Sequence, residues 1–80
     1  MKYLILKLPN SKELQLHYDP WDHKYIGHIC YDYDKDKLNH KDYGVNQIAN
    51  YVAEQFESPQ YSYYLEFMNS ILTIYVTKYN

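Results

Sequence analysis

One segment of the chain, Val45 to Phe56, has the apolar pattern of an amphipathic helix. Polar residues dominate the face opposite the apolar one. An apolar helical face is stable only when it packs against another element, so the fold depends on what this helix, expected at about 43–57, packs against. The apolar residues recur at intervals of three and four, as one face of a 3.6-residue helix requires: Val45, Ile48, Ala49, Val52, Ala53 and Phe56.

The segments on both sides of this helix alternate apolar and polar residues, which is typical of strands with one buried face. Residues 2–8 and 13–18 are spaced as a hairpin, 24–33 form a third strand, and 60–68 and 71–79 form a second hairpin around Asn69-Ser70. The two-residue loop places Leu65 opposite Ile74 and Tyr64 opposite Tyr75. The sequence therefore predicts one α+β domain over residues 1–80. Its order is βββαββ, with one antiparallel sheet of about five strands and the helix across one face.

Two local features refine this prediction. Asp42 is placed to cap the helix by accepting hydrogen bonds from its first amides, and Pro59 ends the helix. Gly27 lies in the middle of the third strand, where it indicates either a bulge or the close approach of the helix or another chain.

The composition limits the classes of function. Eighty residues can bury only a small core, and a chain of this size often gains stability by pairing with a partner or a second copy. Twelve residues are tyrosine, a side chain that favours binding surfaces but also half-buried strands. The net charge is −2 and there is no arginine, so direct nucleic-acid binding is disfavoured.

The compartment is inferred from cysteine usage and hydropathy. Cys30 is the single cysteine and cannot form an internal disulfide, which favours a reducing environment. The chain has neither the pattern of a signal peptide at its start nor an apolar run long enough to span a membrane. We expect a cytoplasmic protein in a host cell, with no membrane association.

Three patterns could carry chemistry, and none is complete. Residues 32–36 open like a calcium loop, but Lys37 replaces the required glycine and Tyr43 the final glutamate. His28 and Cys30 share one strand face, and His17 or His23 could add a third metal ligand, but the ligand pairs that usually close zinc sites do not occur. For a thiol nucleophile activated by imidazole, no third orienting group is identifiable. The isolated glycines form no phosphate-binding loop. We therefore expect no catalytic residue, no cofactor and no metal site, and the chain is not predicted to be an enzyme.

All six aspartates fall between positions 19 and 42, where they alternate with aromatic residues. Carboxylates spaced along such a segment could replace phosphates in the basic groove of a partner. The alternative is a solvated loop, since four lysines reduce the charge of the segment to −2.

The face of the sheet away from the helix offers a second candidate surface. One helix covers one face, so an aromatic and aliphatic set stays exposed unless a partner, a second copy or the 34–42 loop covers it. This set consists of Tyr3, Ile5, Tyr64, Met68, Ile71 and Tyr75.

In size, composition and architecture the chain resembles the small inhibitor proteins of phages and mobile elements, of which anti-CRISPR proteins are one group. The resemblance implies stoichiometric binding to a host protein or protein–nucleic-acid complex. One alternative is single-stranded nucleic-acid binding, in which Tyr3, Tyr64 and Tyr75 stack bases and Lys2, Lys7 and Lys78 contact phosphates. Another is a self-associating regulatory subunit, such as a homodimer. The predicted partner-binding residues are Trp21, Asp22, Tyr31, Asp32, Tyr33, Asp34, Asp36, Tyr64 and Tyr75.

Overall fold

The computed structural model describes residues 2–8, 11–31 and 44–79. In chain order its elements are β1 (Tyr3–Lys7), β2 (Glu13–Asp19), β3 (Lys24–Cys30), α1 (Val45–Phe56), β4 (Tyr61–Met68) and β5 (Ile71–Lys78). The strands form one sheet in the order β1-β2-β3-β5-β4, and all neighbouring strands are antiparallel. The predicted α+β fold is confirmed. Within the described ranges no helix combines the length and apolar character needed to cross a bilayer.

The hairpin of β4 and β5 has the predicted register. Leu65 pairs with Ile74 and Tyr64 pairs with Tyr75. Its two loop residues, Asn69 and Ser70, both have positive φ, at 54° and 62°. A two-residue loop with positive φ at both positions matches the right-handed twist of the strands, so the loop fixes which side chains share a face.

Strand β3 is shorter than predicted. It ends at Cys30 rather than at residue 33, and Tyr31 follows it as irregular chain. Residues 32 and 33 lie outside the described part of the chain. Strand β3 lies between β2 and β5 and therefore joins the two hairpins into one sheet.

The core lies between α1 and the sheet face turned towards it. The helix contributes Ile48, Val52 and Phe56, of which the first two are fully buried. Leucine, isoleucine and valine side chains from four strands complete the buried cluster: Leu6, Leu8, Leu16, Ile29, Leu72, Ile74 and Val76.

Helix α1 makes its closest backbone approaches to β1 and β4, the two edges of the sheet. The Gln55 side chain accepts a hydrogen bond from the Lys7 N–H and donates one to the Lys7 carbonyl, both at 2.8 Å. On the other edge the Phe56 ring packs edge-on against Tyr61 at 5.2 Å. The two edge strands of a flat five-stranded sheet lie roughly 19 Å apart. Because one end of the helix contacts both edge strands, we infer that the sheet curls around the helix. We call the side facing α1 the concave face and the other side the outer face.

The helix cap differs from the prediction. Gly44 is the N-cap residue, in an extended conformation and without a side-chain capping bond. The prediction of Asp42 as N-cap is therefore wrong, because the helix begins two residues later than that cap requires; Asp42 itself lies outside the described residues. At the other end Glu57 caps the helix through its N–H to the Ala53 carbonyl.

Gly27 marks a close approach, but by a different element from those predicted. A Cβ at this position would overlap Leu16 Cδ2 and would lie 3.3 Å from both the Gln15 carbonyl oxygen and Leu14 Cδ2. The neighbour is therefore β2 rather than the helix or another chain. Glycine is required here because the fully buried Leu16 side chain occupies the space of a Cβ.

We predict that Gly27→Ala lowers the free energy of unfolding by about 1–3 kcal/mol, since an extra carbon overpacks a filled core. Chemical denaturation followed by circular dichroism measures the change. Gly44→Ser is the control, because its added Cβ would meet no atom within 4 Å and serine is at least as good a helix N-cap as glycine. Equal stability of Gly27→Ala and the native chain would show that Leu16 can move aside at no cost.

Candidate partner-binding surface

A row of side chains crosses all five strands on the outer face. The strand register aligns one residue from each strand, and residues paired in this way project to the same side of a sheet. We call this set the aromatic row; from edge to edge it consists of Tyr3, His17, Ile26, Tyr75 and Tyr64.

Much of the outer face is exposed to solvent. The exposed fraction is 50% for Tyr3, 49% for Tyr64, 58% for Met68 and 40% for Ile71. All six residues predicted for this face lie on it, because strand alternation turns them away from the core. The helix lies on the concave face, so among the described residues the outer face has no second layer.

Tyr64 and Tyr75 form a stacked pair in this row. Their ring centroids are 4.4 Å apart and the rings are inclined by only 14°. The Lys24 ammonium lies beside the pair, 5.1 Å from the Tyr64 centroid and 5.8 Å from that of Tyr75. Stacking and the neighbouring cation both hold the rings in place, so this part of the surface is ordered in advance of binding.

The Tyr75 phenol stays neutral over an extended pH range. Burial raises the pKa of Tyr75 above its ordinary value of 10.0, and the nearby Glu66 carboxylate, the Tyr64 phenol and the Asp22 carboxylate raise it further. Each of these effects disfavours the phenolate. Tyr75 is therefore a neutral hydrogen-bonding group flanked by two carboxylates at neutral pH.

Acidic residues outnumber basic ones on the outer face and in the turn beside it. Lys7 lies across from Glu13, and Lys24 lies across from Asp19. The remaining two carboxylates, Asp22 and Glu66, both lie close enough to Tyr75 to raise its pKa. The stacked tyrosines therefore have two carboxylates near them, together with the single ammonium group of Lys24. In the described part of the chain these charged residues are Glu13, Asp19, Asp22, Glu66, Lys7 and Lys24.

The turn between β2 and β3 projects an aromatic side chain beside this surface. Trp21 is 91% exposed, and its N–H donates a 2.9 Å hydrogen bond to the Asp19 carboxylate. His23 ends the turn with a φ of 56°, in the left-handed region. The turn therefore places Trp21 and Asp22 at the end of the sheet that carries the tyrosine pair.

The structure divides the predicted partner-binding residues into three groups. Trp21, Asp22, Tyr64 and Tyr75 belong to the outer face or its adjoining turn. Tyr31 does not: it packs against the core from the concave side, with its ring edge-on to Phe67 at 5.8 Å. The rest lie outside the described residues: Asp32, Tyr33, Asp34 and Asp36.

His28 and Cys30 do share the outer face, as their spacing predicts. His28 Nδ1 lies 3.1 Å from Thr73 Oγ1, within hydrogen-bonding distance, and Cys30 is a half-buried free thiol. In ranges 2–8, 11–31 and 44–79 no group of three histidine, cysteine or acidic side chains is arranged to hold a metal.

Comparisons with protein-family models, curated proteins and solved structures found no match to this chain.

Sequence reasoning missed two contributors to the surface, Lys24 and Glu66. The predicted hairpin register already places Glu66 on the outer face two residues from Tyr64, so this signal was available. Lys24 approaches the tyrosine pair only because β3 lies next to β5, and strand order has no local signal in the sequence.

We predict that Glu66→Gln lowers the pKa of the Tyr75 phenol, since it removes a negative charge that disfavours the phenolate. The pKa of Tyr75 is higher in the folded than in the unfolded chain. The neutral phenol therefore contributes to the free energy of unfolding below pH 10, and this contribution is lost as the pH rises through the folded-state pKa. NMR titration of ¹³C-tyrosine-labelled protein measures the pKa. Glu57→Gln, at the end of the helix, is the control and should leave Tyr75 unchanged; equal shifts in both variants would remove Glu66 as a cause.

Proposed function

We propose that this chain is a non-enzymatic protein-binding module that docks through its outer face onto a basic surface of a partner protein. By this proposal it acts stoichiometrically, as anti-CRISPR and similar phage inhibitors do, on a host complex that handles nucleic acid. The observation that carries the proposal is the exposed aromatic row with Asp22 and Glu66 beside its stacked tyrosines.

Chemistry and order both support a protein partner. Tyrosine and tryptophan are enriched at protein interfaces because they offer large rigid areas with a polar tip. Trp21 and Tyr64 provide such area, and the stacking of Tyr64 on Tyr75 reduces the entropy lost on binding. Beside the stacked tyrosines, the two carboxylates of Asp22 and Glu66 outnumber the one ammonium group of Lys24, which favours a partner with lysine or arginine side chains there.

The same geometry disfavours single-stranded nucleic acid as the ligand. Tyr64 and Tyr75 stack on each other, so one face of each ring is not available to a base. The lysines expected to contact phosphates lie elsewhere: Lys7 is across from Glu13, and Lys2 and Lys78 line a separate cleft described below.

We predict that Tyr64→Ala and Glu66→Lys each weaken partner binding by about 2 kcal/mol or more, the loss typical of a residue at the centre of an interface. Tagged protein captures partners from extracts of the cells that encode it, and mass spectrometry identifies them. The dissociation constant is then measured with the purified partner by isothermal titration calorimetry.

Matched controls come from the same edge strand and from the helix. Phe67→Ala removes an aromatic ring of similar exposure, 52%, from the concave side of β4, and Glu57→Lys reverses an exposed charge away from the outer face. Both should retain the partner. Equal loss in controls and test variants would contradict the proposal. Salt-sensitive binding of oligothymidylate that is lost in Tyr64→Ala, or a homodimer that forms through the outer face without any partner, would also contradict it.

A further inference from the structure

A second site lies at the end of the sheet where β1 begins and β5 ends, beside Lys2 and Lys78. It is an open cleft of about 490 Å³. Backbone pairing holds its wall together, since the Tyr18 N–H donates to the Lys2 carbonyl at 3.2 Å and Tyr18 pairs with Tyr25 on the neighbouring strand. The lining residues are Lys2, Tyr18, His23, Tyr25, Thr77 and Lys78.

The charged side chains of this cleft are all basic. Lys2 and Lys78 supply two ammonium groups, and His23 supplies an imidazole. No carboxylate of the described residues lines it. Asp19, the carboxylate nearest in sequence to Tyr18, projects to the outer face instead and accepts a hydrogen bond from Trp21. The cleft is therefore a positive site in a chain whose net charge is −2.

The neutral groups of the cleft add hydrogen-bonding capacity and aromatic surface. The Tyr18 hydroxyl lies 3.3 Å from His23 Nδ1, which fixes both side chains at the rim. The Tyr18 and Tyr25 rings pack at 5.2 Å with a 59° tilt, and the Lys2 ammonium lies 5.2 Å from the Tyr18 centroid. Lys2 thus lies against a preformed aromatic wall.

We propose that this cleft binds a small phosphate monoester. A phosphate group carries close to two negative charges at neutral pH and three acceptor oxygens, which matches two ammonium groups together with hydroxyl and imidazole donors. The tyrosine wall gives an attached organic group an apolar surface to contact. The cleft and the outer aromatic row use different residues, so this inference does not depend on the proposed protein partner.

The test is an NMR titration of the ¹⁵N-labelled chain with adenosine monophosphate, inorganic phosphate and adenosine. We expect adenosine monophosphate to give saturable shifts of amides in the cleft, at Tyr18, His23, Tyr25 and Lys78. Inorganic phosphate should shift the same amides with lower affinity, and adenosine should not saturate. Absence of saturable shifts, or equal affinity for adenosine and its monophosphate, would overturn the proposal.

Lysine variants separate specific binding from general charge attraction. Lys2→Gln and Lys78→Gln should each weaken binding of adenosine monophosphate about tenfold, the loss expected for one charge-assisted hydrogen bond. Lys7→Gln removes the same charge from the outer face and should leave the affinity unchanged. Equal weakening in all three variants would reduce the site to non-specific attraction and overturn the proposal.

A last comparison distinguishes a free small molecule from the end of a nucleic acid, since both carry phosphate monoesters. An oligothymidylate with a 5′-phosphate should bind no more tightly than adenosine monophosphate. Binding at least tenfold tighter, with shifts extending beyond the cleft, would overturn the assignment to a small molecule.

Discussion

The packing of one apolar helical face into one curled sheet is the constraint on which the rest of this structure depends. Ile48 and Val52 are fully buried between the helix and the sheet. Gln55 holds the helix to one edge through both backbone groups of Lys7, and Phe56 holds it to the other edge through Tyr61. The Gln55 bonds also satisfy the N–H and the carbonyl of Lys7 on the edge strand β1, two groups that could otherwise pair with another chain. The helix is fully engaged on the concave face, so the outer face must be stabilised by its own side chains or by a partner.

The outer face combines ordered side chains with exposed aromatic area. Cross-strand stacking orders Tyr64 and Tyr75 without burying Tyr64, and Lys24 approaches both rings from the adjacent strand. Thr73, on the same face, is buried and lies within hydrogen-bonding distance of His28, so the centre of this face is packed while its tyrosines stay accessible. A rigid aromatic area with local negative charge fits a basic protein surface better than a flexible polymer of phosphates.

Strand alternation places the lysines of the cleft and the Glu66 carboxylate on opposite sides of the sheet. Lys2 and Lys78 line the cleft, with Tyr18 and Tyr25 between them. Glu66 lies on the outer face. A chain with a small net charge thereby carries two surfaces of opposite character. The two surfaces consist of different side chains. Substitutions can therefore alter one surface and leave the residues of the other unchanged.

The sequence by itself determined the element order, the helical face and the hairpin register, because these depend on local periodicity and on the two-residue loop at Asn69-Ser70. The register alone places Tyr64 against Tyr75 and Glu66 beside them. The local sequence pattern did not identify the N-cap residue of the helix. It also did not show which strand or helix lies close to Gly27. Only the tertiary structure decided that β3 lies beside β5, which brings Lys24 to the tyrosine pair, and that Lys2 and Lys78 line one basic cleft. Strand order and curvature arise from contacts between residues distant in the chain, and no short-range pattern encodes them.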